Sequence, residues 1–183
     1  MYEYLQSDVF NFIKIIYDDA LYLLLHISGG SLTVSSYDQE SIVYGIIRDV
    51  PNGGELEAYR RRRTNWAAIQ ELPSSLDDNW SFLSREMFSM PGPDVYSGTY
   101  HTQLTHFAAS YNSIEYEWER WISRFEAMLR SMYWSSATVH LETELSGKHI
   151  FSWESSGASH DPRNSELKMV CEWERESTFI QRK

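Results

Sequence analysis

The sequence predicts one α+β domain over residues 1–183, in which two long amphipathic helices pack on a C-terminal three-stranded antiparallel meander. Two patterns support this fold class. Apolar residues recur every three or four positions over residues 3–27 and 112–134, as in helices with one buried face. From residue 139 onward they alternate at every second position, as in strands with one buried face. A chain of 183 residues is long enough to bury a core of its own.

The N-terminal part predicts a helix followed by two strands. The helix covers residues 3–27 and ends at a glycine pair. Its apolar stripe consists of Leu5, Val9, Phe12, Ile13, Ile16, Ala20, Leu23, Leu24 and Ile27. Two short runs of strand-forming residues follow, 32–36 and 41–48, with a polar turn between them. This spacing predicts an additional N-terminal β-hairpin.

The middle of the chain returns to helical spacing. Residues 55–72 predict a helix, and a shorter helix is indicated over residues 77–88. Residues 99–110 fit either a strand or the lead into the next helix. Residues 112–134 have the clearest helical pattern, with one stripe of large apolar side chains and charged residues on the other side.

Three runs with period-two alternation predict the strands of the C-terminal meander. They cover residues 139–145, 149–154 and 167–174. Five glutamates share the solvent-facing side of this predicted sheet: Glu142, Glu144, Glu154, Glu172 and Glu174. They fit a surface that binds a basic protein or holds a divalent cation through oxygen ligands, and they also fit a solvated strand face that resists edge-to-edge association.

Composition excludes several functional classes. The chain carries 26 acidic and 16 basic residues, a formal net charge of −10 that disfavours general affinity for duplex DNA. The single cysteine, Cys171, excludes an internal disulfide and a cysteine-based zinc site. The first basic residue is Lys14, and the apolar run 20–25 is too short to span a bilayer. We therefore expect a cytoplasmic protein without a secretory signal or a membrane segment.

Motifs for metal binding and catalysis are weak. His101 and His106 are five positions apart, which separates their side chains on a helix and on a strand, so we expect neither a metal nor a cofactor. Asp94 after a proline, and Glu166 two positions before Lys168, are the residue types of a magnesium-dependent nuclease. These two parts are over 70 residues apart, with the helix predicted over 112–134 between them, so an enzyme of this kind is only an alternative.

Four consecutive arginines at positions 60–63 form the most unusual segment. Consecutive helical residues point in different directions, so only Arg60 with Arg63, or Arg61 alone, is expected to face one partner. Three interpretations remain open for these three arginines: internal salt bridges to acids of the chain, a local contact with an anion or RNA, and a contact with a protein.

The principal functional expectation is a non-enzymatic acidic protein that captures or inhibits a basic protein, as immunity proteins, antitoxins and nucleic-acid mimics do. Besides the five glutamates, its predicted contact residues are acids and aromatics of the middle segment: Asp77, Asp78, Trp80, Asp94, Tyr96 and Tyr100. The alternative of a different class is a small-molecule-binding domain. Its predicted aromatic pocket is lined by Trp118, Trp121, Phe125, Phe151 and Trp153.

Overall fold

The computed structural model describes residues 40–77, 82–94, 102–144, 147–162 and 167–174. Within these ranges the chain forms one six-stranded antiparallel sheet and two α-helices. The strands are β1 (Glu40–Asp49), β2 (Phe88–Ser89), β3 (Gln103–Asn112), β4 (Ser136–Thr143), β5 (Gly147–Glu154) and β6 (Met169–Glu174). The helices are α1 (Glu55–Gln70) and α2 (Trp118–Arg130). The strand order across the sheet is β2-β3-β1-β4-β5-β6.

The predicted fold class is wrong, because the protein is mostly β. Its six-stranded sheet replaces the expected arrangement of two long helices on a three-stranded meander. β4, β5 and β6 coincide with the three predicted C-terminal strands, but β4 also pairs with β1, which adds β1, β3 and β2 to the same sheet. Local periodicity depends only on neighbouring residues, so it does not indicate which distant strands pair. The sequence pattern therefore did not predict the pairing of β1 with β4.

The predicted N-terminal hairpin is also wrong in its pairing. Its second run lies within β1, but both edges of β1 are occupied: Ile46 pairs with His106 of β3 on one side and with Thr138 of β4 on the other. The strand therefore has no free edge for residues 32–36. Those residues, and the predicted helix over 3–27, lie outside the ranges that the structure describes.

The helix predicted over 55–72 is confirmed as α1, whereas that over 112–134 starts later than predicted. β3 continues to Asn112, Ser113 has a left-handed φ of 55°, and a 3-10 turn precedes α2. The left-handed conformation of Ser113 separates the strand from the turn and helix that follow it. In place of the short helix expected at 77–88, the described part of that range contains a 3-10 turn, Arg85–Met87, and β2.

One face of the sheet packs against the helices and forms the core. α2 contributes five buried side chains to this inner face: Trp118, Trp121, Phe125, Met128 and Leu129. The ring centroid of Phe125 lies 5.3 Å from that of Phe107 on β3 and 5.3 Å from that of Trp153 on β5. These tilted contacts between large rings fix α2 on the sheet.

Polar contacts hold α1 to the same side of the sheet. The Asn65 side chain accepts a hydrogen bond from the Tyr133 backbone N–H (2.7 Å) and donates one to the Tyr133 carbonyl (2.9 Å). Arg61 forms two hydrogen bonds with Asp49 at the end of β1, and its guanidinium lies 4.7 Å from the centroid of the Tyr133 ring. Both members of the ion pair are buried. Both described helices lie on this side of the sheet, so neither of them covers the side chains on the opposite side.

Candidate functional site on the open face of the sheet

The candidate site is the side of the sheet opposite the two helices, which we call the open face. Alternation sends every second side chain of each strand to this side. The register aligns Tyr44 of β1 with Ala108 of β3 and His140 of β4, and aligns His140 with Ile150 of β5. Three large aliphatic side chains on this face are solvent-exposed: Ile42 (41%), Leu104 (37%) and Val170 (51%).

Side chains with large apolar surfaces form a band across the open face, from β3 to β6. The members of this apolar band are Leu104, Ile46, Tyr44, His140, Ile150 and Val170. Four strand spacings separate β3 from β6, so the band extends roughly 19 Å across the sheet. Contiguous apolar surface of this kind, bordered by polar residues, marks interaction sites in soluble proteins.

A polar cluster occupies the centre of the band. The Tyr44 hydroxyl donates to Glu142 Oε1 (2.7 Å) and accepts a hydrogen bond from Lys148 Nζ (2.9 Å). Lys148 Nζ also lies 2.9 Å from Glu142 Oε1, which makes a salt bridge. The Tyr44 ring stacks on that of His140, with centroids 4.7 Å apart and planes 7° apart. These contacts hold the central rings in one arrangement, so the middle of the face is preorganised.

The cluster keeps its charges fixed around neutral pH. The hydrogen bond from Lys148, followed by that from Tyr44, lowers the pKa of Glu142 below its ordinary value. The hydrogen bonds to Tyr44 and Glu142 raise the pKa of Lys148. A carboxylate that holds no proton and an ammonium that keeps its own are poor partners for proton transfer at neutral pH. At neutral pH the cluster therefore holds a carboxylate and an ammonium group in contact with the Tyr44 hydroxyl.

Carboxylates border the band on the half of the face formed by β4, β5 and β6. The register places Glu142, Glu154 and Glu172 on the open face, and it pairs Glu174 with Lys148. Two further charged residues are exposed beside them: Glu144 in the turn after β4, and Lys168 just before β6. With four carboxylates and two lysines among the side chains that the structure describes here, this half of the face carries surplus negative charge.

The predicted contact residues of the middle segment lie elsewhere or outside the structure. Asp77 and Asp94 are exposed on loops, and Asp94 accepts a hydrogen bond from the Tyr59 hydroxyl (3.1 Å). Among the described residues, no hydrogen bond or salt bridge joins Asp77 or Asp94 to the glutamates of the sheet. Four others fall outside the described ranges: Asp78, Trp80, Tyr96 and Tyr100.

The turn that contains Asp77 is held by a carboxylate from outside it. Glu86 accepts hydrogen bonds from the Ser75 backbone N–H (3.0 Å) and from the Ser74 hydroxyl (2.8 Å). Asp77 accepts one from the Ser74 backbone N–H (2.7 Å). The hydrogen bond from Ser75 contributes most to lowering the pKa of Glu86 to about 2.

Acidification is expected to loosen this turn. A carboxyl whose pKa is lowered by folding stabilises the native contacts above its unfolded value of 4.5, and that contribution is lost as the pH falls from 4.5 to about 2. An NMR titration of the Glu86 carboxyl carbon should give a pKa of about 2, and the amide signals of Ser74 and Ser75 should shift with it. The Glu86→Gln variant should lack that coupled shift. Titration of Glu86 near 4.5 would contradict the geometry of the turn.

The arginine run divides between an internal and an exposed role. Arg61 is committed to the buried pair with Asp49, whereas Arg60 is exposed and lies 3.0 Å from the Glu57 carboxylate. Arg60 and Arg63 border a groove of about 340 Å³ along α1. The remaining lining residues are Thr64, Ala67, Ala68, Glu71 and Ser131. The structure thus brings Arg60 and Arg63 together and directs Arg61 into the protein.

The aromatic residues assigned to a small-molecule pocket all lie in the hydrophobic core. Their exposed fractions are 0–6%, and they contact one another: Trp118 stacks on Trp121 at 4.8 Å and lies 5.0 Å from Phe151. The indole N–H of Trp153 donates to Glu126 Oε1 (3.0 Å). These side chains fill the space between α2 and the sheet with one another.

The described ranges were also searched for a metal site, a reactive thiol and a membrane-spanning helix. They contain no group of three or more His, Cys, Asp or Glu residues that could hold a metal ion. His106 is exposed on β3, and both His101 and Glu166 lie outside these ranges. Burial raises the pKa of the Cys171 thiol to about 11, which disfavours a reactive thiolate. No helix in the same ranges is long and apolar enough to cross a membrane.

Comparisons with known proteins found no matching family model, no significantly similar curated protein and no significantly similar solved structure.

Proposed function

We propose that this protein is a non-enzymatic binding protein that captures a basic protein partner on the open face of its sheet. The apolar band carries the proposal. Its ends, Leu104 and Val170, are 37% and 51% exposed, and its centre is held in place by the hydrogen bonds of Tyr44. Exposed aliphatic groups around a rigid aromatic centre are typical of protein interfaces.

The shape of the band indicates the partner surface. A band that runs across antiparallel strands suits an elongated apolar ridge, such as one face of an amphipathic helix. Carboxylates on the β4–β6 half would pair with lysine or arginine residues that flank this ridge. We therefore propose a partner segment with an apolar ridge and cationic flanks.

The charge of the whole chain supports the same partner. A formal net charge of −10 attracts a basic protein over distances of about a Debye length, which raises the association rate. Contacts at the apolar band would then limit dissociation, because hydrophobic burial is screened little by salt. Capture should accordingly have a salt-dependent association rate and a dissociation rate that depends less on salt.

Charge reversal on the open face is expected to weaken capture of a basic amphipathic helix. The probe is a synthetic helical peptide with leucine on one face and lysine on the other. Glu154→Lys combined with Glu172→Lys should weaken its binding about tenfold, the effect of losing two exposed charge contacts and gaining repulsion. The affinity should also respond less to salt. Isothermal titration calorimetry at low and high salt measures both effects.

The matched control reverses two exposed acids on the side of the helices, Glu71 and Glu119, to lysine. This variant has the same net charge as the open-face variant but leaves the face intact, so it should bind the probe within about twofold of the unchanged protein. Equal weakening in both variants would mean that net charge alone attracts the peptide, and it would overturn the assignment to the open face.

A further inference from the structure

The groove along α1 is formed mostly by one face of that helix. Its lining residues on α1 recur at three- and four-residue steps, and Ser131, directly after α2, lines it as well. Ala67 and Ala68 have small side chains in its middle, which leaves a volume of about 340 Å³. That volume lies within the range of sites that hold small molecules. The groove shares no residue with the apolar band of the open face.

Two arginine side chains make one end of the groove cationic. Arg63 is exposed, and no salt bridge involves it among the described residues. Arg60 is paired with Glu57 at 3.0 Å, but an exposed pair of this kind contributes little, so a divalent anion can compete for Arg60. The hydrogen bond to Glu57, and to a smaller extent the charge of Asp161, raises the pKa of Arg60. Guanidinium groups with free N–H donors bind phosphoryl oxygens well, so this end fits a phosphoryl group.

The rest of the groove offers hydrogen-bond acceptors. Thr64 Oγ1 donates to the Arg60 carbonyl (3.1 Å). Ser131 Oγ donates to the Met128 carbonyl (2.7 Å). Because each hydroxyl hydrogen is already used, these two oxygens can only accept hydrogen bonds from a ligand. The carboxylate of Glu71, which is exposed at the far end, also only accepts. A ligand with several hydroxyl groups has donors for all three.

Glu71 is too far from the arginines to repel an anion bound there. Eight positions separate Arg63 from Glu71, which corresponds to about 12 Å along the helix axis. This distance exceeds the Debye length of about 8 Å at physiological ionic strength, so the repulsion is largely screened. The groove thus has a cationic end and an acceptor end.

We infer that the groove binds a small phosphorylated polyol, such as a sugar phosphate. The phosphoryl group would lie at Arg60 and Arg63. The hydroxyl groups would donate to Thr64, Ser131 and Glu71. The described residues that line the groove include no aromatic side chain, so a nucleobase would find no stacking surface there. A sugar phosphate is therefore favoured over a nucleotide.

Amide NMR titrations of the full-length protein with glucose 6-phosphate, glucose and inorganic phosphate test this inference. Glucose 6-phosphate should shift the signals of residues 60–71 and bind about tenfold more tightly than either of the others, because it alone makes both kinds of contact. Arg63→Gln should weaken its binding about tenfold, through loss of hydrogen bonds between charged groups. Ala67→Leu narrows the groove and should weaken glucose 6-phosphate binding more than phosphate binding.

The matched control is Arg124→Gln, which removes an exposed arginine of α2 and changes the net charge equally. It should bind glucose 6-phosphate within about twofold of the unchanged protein. Equal weakening by Arg63→Gln and Arg124→Gln, shifts confined to other residues, or no binding would overturn the inference. Equal binding of phosphate and glucose 6-phosphate would overturn the polyol contacts and indicate a simple anion site. Tighter binding of adenosine monophosphate would overturn the preference for a polyol.

Discussion

Replacing Gly45 with alanine is expected to lower the free energy of unfolding by about 3 kcal/mol or more, the upper range for overpacking a core. Gly45 lies on the inner face of β1, between Phe107 of β3 and Val139 of β4. A β-carbon at this position would collide with the Thr138 carbonyl oxygen and with the Phe107 ring. The carbonyl belongs to the backbone of a paired strand, so it cannot retreat without disrupting the sheet.

The matched control for this substitution is Gly157→Ala, since a β-carbon at Gly157 would meet open space. Urea denaturation of the two variants should show a large loss for Gly45→Ala and little change for Gly157→Ala. Combining Gly45→Ala with Phe107→Leu should recover part of the loss, because the smaller side chain removes one of the two collisions. Equal stability of the two glycine variants would contradict the close packing of β1 against Phe107.

Removing either member of the buried Asp49–Arg61 pair is expected to cost about 3–5 kcal/mol of unfolding free energy, because the remaining charge is buried without its partner. The side chains of Arg61 and Asp49 are 7% and 3% exposed. Burial raises the pKa of Asp49, and the hydrogen bond from Arg61 opposes that shift. Desolvation is therefore the larger influence on this carboxylate, and Arg61 offsets only part of it.

A double-mutant cycle measures this coupling. Asp49→Leu and Arg61→Met should each destabilise strongly in urea denaturation, and the double variant should lose less than the sum of the two. The control is the exposed pair Glu117–Arg120, where loss of either charge should cost less than about 1 kcal/mol. Additive losses at Asp49 and Arg61 would contradict a direct pair between α1 and β1.

The local patterns of the sequence predicted several of the local elements. Helical spacing over 55–72 predicted α1, and period-two alternation predicted β4, β5 and β6. The same alternation placed Glu142, Glu154 and Glu172 together on one side of the sheet, where the register confirms them. Each of these inferences depends only on the direction in which neighbouring side chains point along one element.

The order of the strands in the sheet, and with it the candidate site, could not be predicted from local patterns. Tyr44 and Glu142 are hydrogen-bonded although 98 positions separate them, and Lys148 joins them from a third strand. No local period encodes the pairing of β1 with β4. The one available signal was the alternation of residues 41–48, which assigns Tyr44 to the same side of β1 as Ile42 and Ile46.

The measurement that tests the binding role of the open face most directly is a methyl NMR titration of the full-length protein with the leucine–lysine peptide. β1 supplies its own control, because Ile42 and Ile46 point to the open face while Val43 and Ile47 are buried beneath it. We predict shifts at Ile42 and Ile46, and at the other aliphatic groups of that face, with little change at Val43 and Ile47. Shifts confined to exposed leucines outside the sheet, such as Leu56 and Leu76, would contradict binding on the open face.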